Sequence, residues 1–209
     1  MNKLDICNNA LDLVGQGIHI DSFEENSKEA DVIRRNYQST VDRALSMYDF
    51  SFARKDEVIT EDYLIKDYVS LPWLYSYNIP TDVMTILKLE RLERGKDDYN
   101  SVDDITFNFR NIKNKKCIVT NAEAPFVMQY QCFVTDETLF SVSFVQAIEY
   151  LLASKIAPAL IHGTSGLQIG NVLNQMGMSY LEFSAGQDAQ QGASSVFGKN
   201  TPYFIQGRF

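Results

Sequence analysis

Residues 139–187 read LFSVSFVQAIEYLLASKIAPALIHGTSGLQIGNVLNQMGMSYLEFSAGQ, and the rest of the chain can be read as packing against them or hanging from them. Phe140, Phe144, Ile148, Leu152, Ile156 and Leu160 recur at every fourth position. Val145, Leu151 and Ala159 widen that row into a broad apolar face, so the spacing predicts a long helix. A break is expected over Ile161-His162-Gly163-Thr164. Ser165 and Gln168 then have the spacing of a reciprocal cap, ahead of a second apolar row of Ile169, Val172, Leu173, Met176, Tyr180 and Leu181. The pair carries only Glu149, Lys155, Glu182 and Asp188 as charges, too little polar surface to coat the outside of a monomer. Cover is therefore expected on several sides, from the rest of the chain and from neighbouring copies.

Residues 1–67 are expected to be helical. Leu4, Cys7, Leu11 and Val14 form one stripe with Ile6, Ala10 and Leu13 beside it, and Gly15 and Gly17 can end that helix. Asn26, with Glu29 three residues on, is placed to cap a second helix whose apolar positions are Ala30, Ile33, Tyr37, Val41, Leu45 and Tyr48. Its other face, from Lys28 to Arg43, is rich in charges and reads as a solvated surface or an inter-subunit contact. Tyr48, Phe50 and Phe52 then alternate ahead of Ala53, Arg54 and Lys55, the composition of a lid on a core or of a partner contact.

Over residues 68–135 the period shortens to two. Ile105, Phe107 and Phe109 alternate with polar residues, and Phe126, Met128, Tyr130, Cys132 and Val134 line one side of another strand. Met84–Leu89 and Cys117–Val119 read as further strands. The fold class expected is α+β: a bundle of about four helices, from residues 1–67 and 136–191, with a small antiparallel β subdomain inserted at 68–135. Residues 192–209, with two cations, no acids and Phe197, Tyr203, Phe204 and Phe209 among Gly, Ser and Pro, read as a non-helical tail lying on its own chain or on a partner.

Composition narrows the chemistry. The 209 residues are 45% hydrophobic and 22% charged with a net charge of -8, which argues against a protein whose main work is to grip nucleic acid, though not against a surface that DNA slides past. Residues 88–116 are the exception, with eight basic against six acidic residues. Their basic side is concentrated in Arg110, Lys113, Lys115 and Lys116, which fit a solvated hairpin tip, a contact to an acidic partner, or a contact to DNA. The amino terminus leads into an amphipathic helix rather than an export signal, and no run of about 18 uncharged apolar residues suggests a membrane span. Cys7, Cys117 and Cys132 form no close pair, and with only His19 and His162 to join them they lack zinc-ligand spacing. Gly192–Asn200 has one residue too many between its glycines for a phosphate loop, and no serine has a nucleophile elbow. Asp56-Glu57 and Glu61-Asp62 could in principle supply the carboxylate pair of a glycan hydrolase, but charged loops are far commoner than such pairs. No enzymatic activity, metal or cofactor is expected.

One family resemblance spans most of the chain. Asp5-Ile6-Cys7-Asn8-Asn9-Ala10-Leu11, the run from Tyr37 to Arg43-Ala44-Leu45, and Phe50-Ser51-Phe52-Ala53-Arg54-Lys55 resemble the opening of the tail tubular protein A family, the head-to-tail adaptors of short-tailed phages. Tyr77-Asn78-Ile79-Pro80-Thr81-Asp82 is similar to that family's Tyr-x-x-Pro-x-Asp element. Tyr130 to Val134, Asp136, Phe140, Phe144, Ala147 and Leu151-Leu152-Ala153 are similar to its second half. Phe50 stands where the family has Trp, and Arg110 to Lys116 has no counterpart in it. The resemblance implies a virion protein of the neck or tail, made in the host cytoplasm. It would form a dodecameric ring of identical subunits between the portal protein and the downstream tail or nozzle proteins, with genomic DNA passing through the lumen unread. In such an assembly the helical bundle is expected to make the subunit contacts, and the inserted sheet and the tail to contact the neighbouring rings.

Overall fold

The computed structural model describes residues 2–15, 17–65, 72–92 and 104–197, with side chains as far as residue 191. Within these are four α-helices, α1 (Lys3–Val14), α2 (Lys28–Met47), α3 (Val142–Leu160) and α4 (Thr164–Phe197). The strands are β1 (Arg54–Ile59), β2 (Tyr75–Asn78), β3 (Val83–Arg91), β4 (Phe107–Ile112), β5 (Lys115–Thr120) and β6 (Phe126–Cys132). The class is α+β, as expected. The chain divides into two units, Met1–Phe52 with Val134–Phe209, and Ala53–Phe133.

Three helices of the first unit, α1, α2 and α3, start at a side-chain cap. Asn2 accepts from the Asp5 amide while the Asp5 carboxylate accepts from the Asn2 amide, and Gly15, at φ 80°, closes α1 in a conformation that a side chain would strain. Ser27, rather than the expected Asn26, caps α2 by accepting from the Ala30 amide at 3.2 Å. Ser141 caps α3, so Phe140 lies just outside the helix whose apolar row it extends in the sequence. The expected break after Leu160 is present, but α4 begins at Thr164, which puts Ser165 inside its first turn. That helix also continues through Gly192–Phe197, part of the segment expected to be non-helical. Those six residues hold neither Pro nor a charge, and a helix already under way needs only one further hydrogen bond per residue to continue.

α3 packs on α1, α2 and α4, and its apolar row is buried: Phe144, Ile148, Leu152 and Ile156 are fully enclosed. α4 behaves differently. Its buried seam is Gly166, Gly170, Leu173, Gly177, Leu181 and Ser184, which keeps Leu173 and Leu181 of the expected apolar row but not Ile169, Val172 or Met176. Pro158 in the last turn of α3 has no N–H to give the Ser154 carbonyl, and Gly170 sits where an added Cβ would lie 2.8 Å from that oxygen. At Gly177 a Cβ would meet the Leu151 side chain at 2.8 Å. The glycines let the two backbones approach, and turning them inward rotates Ile169, Val172 and Met176 out of the interface.

Among the described residues the second unit holds two three-stranded antiparallel sheets, in the orders β1-β6-β3 and β2-β5-β4. Tyr77 of β2 packs edge-on against Phe126 of β6 at 5.1 Å, joining the two sheets. The expected strands around Ile105–Arg110, Phe126–Val134, Met84–Leu89 and Cys117–Val119 are all present. β1 overturns the expectation that residues 1–67 are helical, and moves the start of the sheet unit from 68 to 53. Arg54-Lys55-Asp56-Glu57 carries no apolar alternation because β1 is an edge strand, paired among the described residues only with β6 and mostly exposed.

Candidate functional site

The aromatic residues after α2 form a core. Phe50 has 0% exposure, packs edge-on to Phe144 at 4.9 Å and stacks on Phe52 at 5.3 Å, while Phe140 closes the group at 5.0 Å from Phe144. Phe50 is therefore corrected from a partner-facing residue to a packing residue, because contact with a partner would require unpacking the bundle. Phe52 is half-buried and also committed inward, to Phe140 and Phe144. Next to this cluster Asp188 of α4 accepts from the Ser51 amide and hydroxyl, at 2.8 and 2.5 Å, so one of the two α4 charges pins the chain leaving α2.

Arg110, Lys113, Lys115 and Lys116 come together at the tip of the β4–β5 hairpin. Ile112 pairs with Lys115 across a two-residue turn in which Lys113 (φ 51°) and Asn114 (φ 63°) are both left-handed, the turn type that matches the twist of a hairpin. The three lysines are exposed, Arg110 is half-buried, and Lys116 lies over the Phe109 ring at 4.6 Å. No carboxylate among the described residues lies within ion-pair distance of any of the four. Residues 107–120 contain no acid at all. Of the tail residues, Phe197 ends α4 without a described side chain, and Tyr203, Phe204 and Phe209 lie outside the described residues.

Of the acidic pairs weighed as hydrolase candidates, Asp56-Glu57 has structural partners. Asp56 accepts from Gln129 across the β1–β6 pairing at 2.9 Å. Glu57 accepts from Tyr63 and lies 3.1 Å from the Tyr130 hydroxyl, which is itself 3.2 Å from Asp82. Burial opposes the charge on Asp82, yet the Lys55 ammonium at 2.5 Å and the Tyr130 hydroxyl hold its carboxyl below the usual range. Burial, then the same two carboxylates, push the Tyr130 phenol upward. The arrangement ties β1, β6 and the turn before β3 together, and neither of the clefts formed by Arg91, Asp104, Ile105, Asn121 and their neighbours includes it. The three cysteines are buried and unpaired, and burial pushes the Cys7 thiol up to about 12.

The sequence reading expected α4 to need outside cover but did not give the flank that is exposed. Ile169, Val172 (54% exposed), Met176 and Phe183 (58% exposed) lie at spacings of three, four and seven along one flank. Tyr180 fills the gap in that row, half-buried and stacked on Tyr150 at 5.1 Å. Val142 (88% exposed) stands at the start of α3, beside the Ser141–Ser184 and Ser143–Ser184 contacts that bring the two helices level at Phe183. The signal was available in the glycine spacing at 166, 170 and 177, which marks a close-approach face distinct from the row of large apolar side chains.

No family model matches this chain, and no curated protein matches it in sequence. The functional reading therefore rests on the surfaces described above and on the sequence resemblance.

Proposed function

We propose that this protein is a structural component of a short-tailed phage virion, a head-to-tail adaptor repeated around a ring that joins the portal to the tail and lets the genome pass. The observation that carries the reading is the exposed apolar flank of α4, on a helix whose only charges from Thr164 to Gln191 are Glu182 and Asp188. Large side chains in a continuous row on a helix face are a surface awaiting cover. Identical copies offer that cover without like charges meeting, and a contact that repeats by rotation closes into a ring. The net charge of -8 suits a conduit wall to which DNA does not adhere over most of its area.

In this role the work is adhesion and sealing, so the reading calls for no cofactor and no group of unusual pKa. The bundle makes the subunit contacts and the segment after Phe197 docks on a neighbouring ring. Electron microscopy of the purified chain, alone and mixed with a purified portal, tests this directly. Rings of about twelve copies, or their appearance on portal contact, are the expected result. A chain that stays monomeric at every concentration and leaves the portal bare rejects it.

A further inference from the structure

We infer that the free edge of β4 is a latent strand-addition site for a second copy of this chain, held shut by the side chains of Asn108 and Arg110. Among the described residues β4 pairs only with β5, so one side of Phe107–Ile112 is a sheet edge. The hairpin register determines which backbone groups lie along it. Ile112 and Lys115 flank a two-residue turn and so face each other as a hydrogen-bonded pair, and such pairs recur at every second residue. Arg110 with Cys117 and Asn108 with Val119 are the next two, which leaves Phe107, Phe109 and Asn111 to turn their N–H and C=O groups away from β5. Thr106 fits this alternation, since its carbonyl accepts from the Thr120 hydroxyl at 2.8 Å on the β5 side.

Such an edge invites pairing. Phe107–Ile112 carries one charge and neither Gly nor Pro, and the Phe107 and Phe109 rings meet edge-on at 5.7 Å, with Phe109 38% exposed. A β-prone segment of this length on an open edge is a template for another strand. Its own symmetry names the occupant. In an antiparallel, two-fold pairing of β4 with β4, Phe109 faces Phe109 and Phe107 faces Asn111, so every outward group meets a counterpart. The exposed Phe109 rings then lie side by side on one face, and the two cationic hairpin tips point to opposite ends. The central pair of that ladder is blocked. The Phe109 amide donates to Oδ1 of Asn108 at 2.8 Å, and the Arg110 guanidinium donates to the Phe109 carbonyl at 3.0 Å. An approaching strand must displace both side chains before it gains its two central bonds, and the exchange returns little, because one hydrogen bond only replaces another. The α4 flank takes no part in this contact, so the inference stands apart from the ring reading.

The test uses the full chain and two variants. Asn108→Thr/Arg110→Thr keeps a strand-forming composition while removing the acceptor and the guanidinium, and Lys115→Thr removes a cation from the same hairpin while leaving Phe109 guarded. Circular dichroism melting checks that all three proteins are folded. Hydrogen exchange, resolved to single residues by mass spectrometry, needs no variant for its first result. In the natural chain the Phe109 amide should exchange roughly fivefold or more slowly, relative to its intrinsic rate, than those of Phe107 and Asn111. In the double variant at low concentration that difference should vanish. As its concentration rises, sedimentation velocity should show a larger species that the natural chain does not form, and the three amides should become protected together. Equal exchange at the three amides of the natural chain overturns the inference, whether fast because nothing guards Phe109 or slow because another strand already covers the edge. A double variant that sediments like the natural chain at every concentration overturns it as well. So does association that leaves the three amides exchanging freely, or a Lys115→Thr chain that associates as readily.

Discussion

Phe50 shows what a single side chain does here. Its ring is enclosed by Phe52, Phe144 and Tyr48, so truncation removes a fully buried aromatic and leaves a cavity that the rigid helix ends cannot fill. Phe50→Ala should lower the unfolding free energy by about 3–5 kcal/mol in urea titration, with Phe52→Ala costing less because that ring is already partly in water. The aromatic spacing was legible in the sequence, but whether the rings faced in or out was not, since alternation over three positions fits a lid and a contact surface equally. Glu149 makes a second case at this scale. Desolvation raises its pKa, against the opposing hydrogen bond from Asn9 at 2.7 Å. A carboxyl whose folded pKa lies above its unfolded value favours folding most below the unfolded pKa, and that contribution is lost as pH rises through the folded one. At neutral pH the ionised group is therefore a penalty, and Glu149→Gln keeps an acceptor for Asn9 while removing it. The variant should have the higher urea midpoint at pH near 7, and the two proteins should converge toward pH ~3, where both side chains are neutral.

Among the elements, α4 separates pattern from packing. Its large apolar residues advertise one face and its glycines another, and the glycines win because Ser154 and Leu151 of α3 leave no room for a Cβ. Gly170→Ala and Gly177→Ala should each destabilise by about 1–3 kcal/mol, the overpacking cost outweighing the helix propensity gained. Gly186, where an added Cβ meets nothing within 4 Å, is the internal control. Gly186→Ala should stabilise by about 0.5–1 kcal/mol, and thermal melting of the three variants checks the sign of each effect. β1 is the other element that the sequence concealed. An edge strand exposing most of Arg54–Glu57 has no hydrophobic period, and only its register with Gln131–Met128 identifies it.

For the whole molecule, assembly is the property at stake. Met176 and Phe183 are about half exposed in the single chain, so changing both to Lys should leave its stability within ~0.5 kcal/mol while abolishing ring formation in sedimentation velocity runs. Retention of rings by that double variant would move the subunit contact off α4. What the sequence by itself determined was the α+β class, the positions of α1 to α3 and of four strands, and the uncharged character of the α3–α4 pair. Those properties follow from local periodicity and composition, which each segment carries within itself. Tertiary structure decided that the glycine face of α4, rather than its row of large apolar side chains, is the buried one, that Phe50 packs inward, and that β1 belongs to a sheet. Each of those depends on a partner outside the segment itself: a carbonyl left free by Pro158, a ring on α3, and a strand 67 to 77 residues away by its register. Local pattern cannot encode which neighbour a surface will meet, because that is settled by the fit of backbones and side chains once the elements are packed together.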